Sequence, residues 1–106
     1  MVFQVGATLL DACVLAVLRE EDAYGYVLTQ TLRESLSISE STLYPVLRRL
    51  QKEQYLSTYD EPYQGRNRRY YSITERGRRM VDEYRKEWQI FRDRVDLLIM
   101  NGGKAA

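Results

Sequence analysis

The chain of 106 residues contains no histidine and a single cysteine, Cys13. Without histidine, the commonest metal ligand and general base is missing. One cysteine excludes an internal disulfide and a cysteine-rich zinc site. The longest apolar run, Ala12 to Leu18, is far short of the ~20 residues a membrane helix needs. The start carries neither a basic n-region nor a cleavage-site pattern, so a cytoplasmic protein is expected. No internal repeat or low-complexity segment occurs. Enzymatic chemistry lacks its usual parts, and no cofactor or metal is expected.

What is present is a charge asymmetry. The net charge is only +1, but Arg48 to Arg79 holds nine basic residues against four acidic ones, a local +5. The remainder is −4. Phosphate attraction acts over a Debye length of ~8–10 Å, so the local excess matters more than the total. A hydrophobic content of 44% and a charged content of 29% suit one globular domain.

Periodicity predicts a first helix from about Ala7 to Arg19, apolar almost all round, which demands cover on more than one side. A second subunit is the expected source. Asp22 is a candidate cap for a second helix from about Ala23 to Glu34, with Tyr24, Val27, Leu28 and Leu32 at helical spacing. Gly25 near its start permits close backbone approach. After a turn over Ser35–Ser39, Ser39 or Glu40 opens a third helix ending near Gln54. It carries Leu43, Val46, Leu47 and Leu50 on one stripe. Its other side carries Ser41, Thr42, Tyr44, Pro45, Arg48 and Lys52, with Pro45 taken to lie in the first turn, where proline is tolerated.

Two short strands are predicted at Leu56–Glu61 and Arg69–Thr74, joined by a loop of about seven residues punctuated by Pro62 and Gly65. Alternation puts Leu56 with Thr58, and Tyr71 with Ile73, on inner faces. Gly65, Arg66, Arg68 and Arg69 form a cationic tip whose like charges favour a polyanion. Thr74 caps a final helix with Glu75 in its first turn. There Val81, Tyr84, Trp88, Phe91, Val95 and Leu98 follow at spacings of 3, 4, 3, 4 and 3, a heptad-like seam. At roughly 26 residues, or ~39 Å, this helix outreaches the domain and needs a partner. Asn101-Gly-Gly marks its stop.

Ordered together, these pieces resemble the PadR family of bacterial transcriptional regulators, specifically its short members with a single C-terminal helix. The matching motifs are Tyr24-Gly25-Tyr26, Ser41-Thr42-Leu43-Tyr44-Pro45-Val46-Leu47-Arg48-Arg49-Leu50, Gly65-Arg66-Asn67-Arg68-Arg69-Tyr70-Tyr71 and Thr74-Glu75-Arg76-Gly77. The resemblance implies a homodimeric repressor of a palindromic operator, released by a small effector and dimerised by its last helix against the partner's first. It maps Ser41, Tyr44, Pro45 and Arg48 onto a recognition helix, and Gly65, Arg66, Arg68 and Arg69 onto a wing. Trp88 matches a tryptophan lining the dimer pore of multidrug-binding members, so a planar aromatic or cationic effector is expected there. Longer members that sense phenolic acids have a larger helical C-terminal domain, which this chain lacks.

The expected fold is therefore α+β, mostly α: a winged helix-turn-helix over residues 1–74, a dimerisation helix over 75–101 and a flexible tail over 102–106. Arg48, whose planar fork fits two acceptors, is the expected guanine reader. Two alternatives stay open: a winged-helix protein–protein adaptor, and a ligand-sequestering dimer with no role on DNA. Cys13, among Ala12, Val14 and Ala16, is expected to be an inert buried thiol.

Overall fold

The computed structural model describes Phe3 and residues 6–104. The elements are α1 (Ala7–Glu20), β1 (Ala23–Tyr24), α2 (Gly25–Leu36), α3 (Glu40–Lys52), β2 (Leu56–Tyr63), β3 (Arg66–Ile73) and α4 (Glu75–Asn101). Their architecture is the α+β winged helix expected, with a long C-terminal helix. Residues 105–106 of the expected tail lie outside the described residues.

The core forms where each helix turns its leucine stripe inward. Leu10, Val14, Leu15 and Leu18 of α1 meet Leu28 and Leu32 of α2 and Leu43, Val46, Leu47 and Leu50 of α3. Leu56, Ile73 and Val81 close the cluster from the strands and from α4. Such stripes come from apolar residues recurring every three or four positions. Val27, at the same spacing in α2, is exposed instead.

Local capping decides where the helices begin. The Ser39 hydroxyl accepts the Thr42 N–H at 3.3 Å, and the Thr74 hydroxyl accepts the Gly77 N–H at 3.0 Å. Each satisfies one of the unpaired donors of a helix start. The α2–α3 turn is tight because Ser37 adopts a left-handed conformation, φ 54°, and returns its N–H to Arg33. At the far end of α4, Gly102 and Gly103 give N–H bonds to Leu98 and Leu97, both at 3.0 Å, closing the helix in a Schellman-like pattern.

Three expectations are corrected. Asp22 does not cap α2: Tyr24 is the cap residue and makes no side-chain cap bond. The chain there is drawn into extended pairing with β3, Ala23 opposite Tyr71 and Tyr24 opposite Tyr70, which delays the helix. The sheet consequently has three antiparallel strands in the order β1-β3-β2, not two. The predicted long loop is a two-residue turn, Gln64-Gly65, with φ of 50° and 78°, the left-handed pair that matches hairpin twist. Pro62 sits within β2 opposite Asn67, which is tolerated because β2 is an edge strand. The inner-face assignment holds, with Leu56 opposite Ile73 and Thr58 opposite Tyr71.

Gly25 lies against this sheet. A Cβ there would meet the Tyr71 ring at 3.3 Å, the close approach expected of a glycine at that position.

Candidate nucleic-acid interface

The outer face of α3 follows directly from its inner one. With Leu43, Val46, Leu47 and Leu50 buried, Ser41, Thr42, Tyr44, Pro45, Arg48 and Lys52 are all left exposed. Pro45, however, is the sixth residue of α3 and not in the first turn. Proline has no N–H for the carbonyl four residues back, so the Ser41 carbonyl keeps no intrahelical partner from that position. Tyr44 and Arg48 of α3 come within electrostatic reach of Tyr71 on β3. Burial pushes the Tyr71 phenol up, while Arg69 and Arg48 pull it back down. The outer face of α3 and the strand that carries Tyr71 thus lie near one another.

Arg49, next to Arg48, does something else. It pairs with Asp11 of α1, whose residue is only 7% exposed, and lies 3.9 Å from Glu53. The hydrogen bond to Asp11 raises the guanidinium pKa first of all. This ion pair fastens α3 to α1. Arg76 is likewise engaged, 4.7 Å over the Tyr55 ring. Arg49 and Arg76 are thus engaged inside the protomer. Arg19 of α1 bonds Asp82 and, at 3.0 Å, the Arg78 carbonyl, tying α1 to α4.

The wing arginines lie in β3 itself, not in a loop. Strand alternation separates Arg66 and Arg68 from Arg69, which faces the same side as Tyr71 and stands 3.8 Å from Asp60. Arg69 is thereby set apart from the like charges of the other two. The half-buried Arg68 guanidinium lies 3.5 Å from the Tyr63 ring centre and 4.5 Å from that of Tyr24. Gly65 occupies the turn.

The aromatic side of the sheet and the Asp11–Arg49 pair went unnoticed in the sequence. Period-two spacing of Tyr59 and Tyr63, and of Arg68 and Tyr70, was the available signal for the first. For the second there was only an acidic residue inside an apolar helix.

Along α4 the predicted seam divides. Val81 is 1% exposed in the single chain, so it belongs to the protomer's own core and offers no surface to a partner. Tyr84 and Val95 are half-buried, whereas Trp88, Phe91 and Leu98 are 44%, 59% and 65% exposed. Between α1 and α4 runs an apolar cleft of about 360 Å³, lined by Leu9, Ala12, Cys13, Ala16, Leu36, Val81, Tyr84, Arg85 and Trp88. A second hollow of about 320 Å³ carries it on to Phe91. Cys13 is not the enclosed thiol expected but lies half-buried at this cleft, and partial burial pushes its thiol up. Among the described residues no cluster could hold a metal ion, and no helix is long and apolar enough to cross a membrane.

A trihelical core whose third helix bares a cationic face, flanked by a β-hairpin wing, defines a winged helix-turn-helix protein. Residues 14–83 match the model of the transcriptional regulator PadR-like family. The chain belongs to that family of transcriptional regulators. An uncharacterized protein of Lysinibacillus sphaericus is 35% identical over 95 residues, covering 85% of this chain and 87% of the relative. The crystal structure of smu.1704 from Streptococcus mutans is similar with a TM-score of 0.86 at 40% identity, covering 94% of each chain. That of a PadR-like transcriptional regulator from Bacillus cereus has a TM-score of 0.79 at 30% identity, covering 87% of this chain and 92% of the other.

Proposed function

We propose that the protein is a homodimeric repressor that reads a palindromic operator and is released by a small-molecule effector. The observation that carries this is the exposed polar and cationic outer face of α3, flanked by a hairpin that bears Arg66, Arg68 and Arg69. In this reading Ser41, Thr42, Tyr44, Pro45, Arg48 and Lys52 enter the major groove. Gly65, Arg66, Arg68 and Arg69 contribute the wing beside the phosphates. Arg48 reads guanine, a contact worth ~1–3 kcal/mol of discrimination when bidentate.

Dimerisation is supported by the exposed seam of Trp88, Phe91 and Leu98 with Tyr84 and Val95. Large apolar side chains aligned on a protruding helix favour a second copy of the same helix and of α1. Two α3 helices then stand one DNA turn apart, roughly 34 Å. The effector, planar and aromatic or cationic, lies against Trp88 where the aromatic walls of the paired helices splay. By occupying that space it changes the spacing of the two heads, so effector and operator compete for one dimer geometry.

Selection of bound duplexes from a random pool, followed by titration at several salt concentrations, tests the proposal. Steep salt dependence and an inverted-repeat consensus are expected. Arg48→Ala is expected to change base preference, whereas Arg66→Ala weakens binding to all duplexes alike. Salt-independent or absent duplex binding would favour a protein–protein adaptor instead. Ligand quenching of Trp88 without release of any DNA complex would mark a sequestering dimer.

A further inference from the structure

The wing is a two-stranded ribbon at its tip, and such ribbons hold their shape poorly unless something packs on them. The side of the ribbon away from α3 is occupied by a continuous ladder of rings. Tyr59 and Tyr70 stack with centres 5.5 Å apart at 9°, and Tyr24 of β1 lies 5.9 Å from Tyr70. The Tyr59 hydroxyl donates to Asp22 at 2.7 Å. Arg68 extends this ladder to the tip, its guanidinium set over both Tyr63 and Tyr24. A chain of contacts thus runs from the hairpin end to the turn that opens α2.

We propose that Arg68 is a positioning residue, clamped between Tyr63 and Tyr24 so that the wing tip is held rigidly to the helix-turn-helix. This rests on the DNA-binding role proposed above, and it separates Arg68 from its neighbours. Arg66 has no ion pair and no aromatic stacking partner among the described residues. Both Arg66 and Arg69 are exposed, whereas Arg68 is half-buried. A planar guanidinium stacks on rings as a lysine ammonium does not, which makes arginine specific to this place. Arg68 therefore acts through ring geometry, and Arg66 through charge on phosphate.

The experiment compares Tyr63→Leu, Tyr63→Phe, Arg68→Lys, Arg68→Ala, Arg66→Ala and the Tyr63→Leu/Arg68→Lys double variant in the full chain. Two quantities are read: hydrogen exchange of the wing amides without DNA, and affinity for a selected duplex against salt. Tyr63→Leu, which changes no charge, and Arg68→Lys, which keeps it, each speed wing exchange. Each also weakens DNA binding about fivefold, the scale of one exposed cation–π contact, with the salt slope unchanged. The double variant is no worse than either single one, and Tyr63→Phe behaves as wild type. Arg66→Ala instead lowers the slope by about one and leaves wing exchange alone. Tyr63 sits at the exposed tip, so these variants keep their core, which unchanged helical circular dichroism verifies. The clamp is refuted if Tyr63→Leu exchanges and binds like wild type while Arg68→Ala lowers the slope as Arg66→Ala does. Failure of the wild-type chain to bind any duplex sinks the DNA-binding role alone, because exchange in the free protein still decides the clamp.

Discussion

Replacing Gly77 by alanine sets two effects of known sign against each other. Gly77 is buried in the first turn of α4, its N–H capped by Thr74. Alanine is the better helix former, favoured over glycine by ~1 kcal/mol. Yet a Cβ at this position would stand 2.7 Å from Ile73 Cγ1 and inside contact distance of the Tyr55 carbonyl oxygen. That oxygen is backbone and already receives the Thr74 N–H at 3.1 Å, so it cannot swing aside. Overpacking of a filled site costs ~1–3 kcal/mol or more, and an immovable neighbour places this case at the upper end. The net loss is ~2 kcal/mol. For a domain of this size each kcal/mol lowers the melting temperature by ~4–8 °C. Thermal unfolding at fixed protein concentration, followed by circular dichroism, measures it; the concentration matters because association raises apparent stability. Gly25→Ala, whose nearest neighbour is the Tyr71 ring edge at 3.3 Å, is expected to lose less. A Gly77→Ala protein that melts at or above wild type would show that α4 is not seated on the wing base as described.

Removing Arg49 strands Asp11 in the core. Loss of one partner of a fully buried pair costs ~3–5 kcal/mol; the Arg49 side chain is 41% exposed, which discounts the expected loss to ~1–2 kcal/mol in urea unfolding. Thr74→Ala removes both the cap and the 2.7 Å bond to the Gln54 carbonyl, so it should cost ~1–2 kcal/mol, more than a cap alone at Ser39. Tyr59 is pushed up to about 12, chiefly by its hydrogen bond to Asp22. Folded Tyr59 therefore keeps its proton above the ~10 at which an unfolded tyrosine loses it. Its contribution to stability is full below ~10 and is lost as pH rises through about 12. Subtracting the Tyr59→Phe curve of tyrosinate absorbance from that of wild type isolates Tyr59, which should ionise late, near 12; a difference curve centred near the ordinary ~10 would refute the Asp22 bond.

Much of the molecule is written in short-range pattern. Leucines every three or four residues place the inner faces of α1, α2 and α3. Ser39 and Thr74 mark the starts of α3 and α4, and two-residue alternation sets Leu56 and Ile73 inward. These features need only neighbours within a turn or a strand, so the sequence reveals them. The outer face of α3 was legible for the same reason, being whatever the leucine stripe leaves behind.

What tertiary structure alone decided involves partners far apart along the chain. Whether Ala23-Tyr24 extends or coils depends on the edge offered by β3, some fifty residues later. Val81 became core and not seam because the strands and α1 cover the first turns of α4. Arg49 left the cationic face for Asp11, 38 positions away, and Arg68 for two rings on two other strands. Composition and periodicity report how many apolar faces and charges exist. Only the folded arrangement assigns each one a neighbour, because burial and pairing energies depend on distance in space and not along the chain.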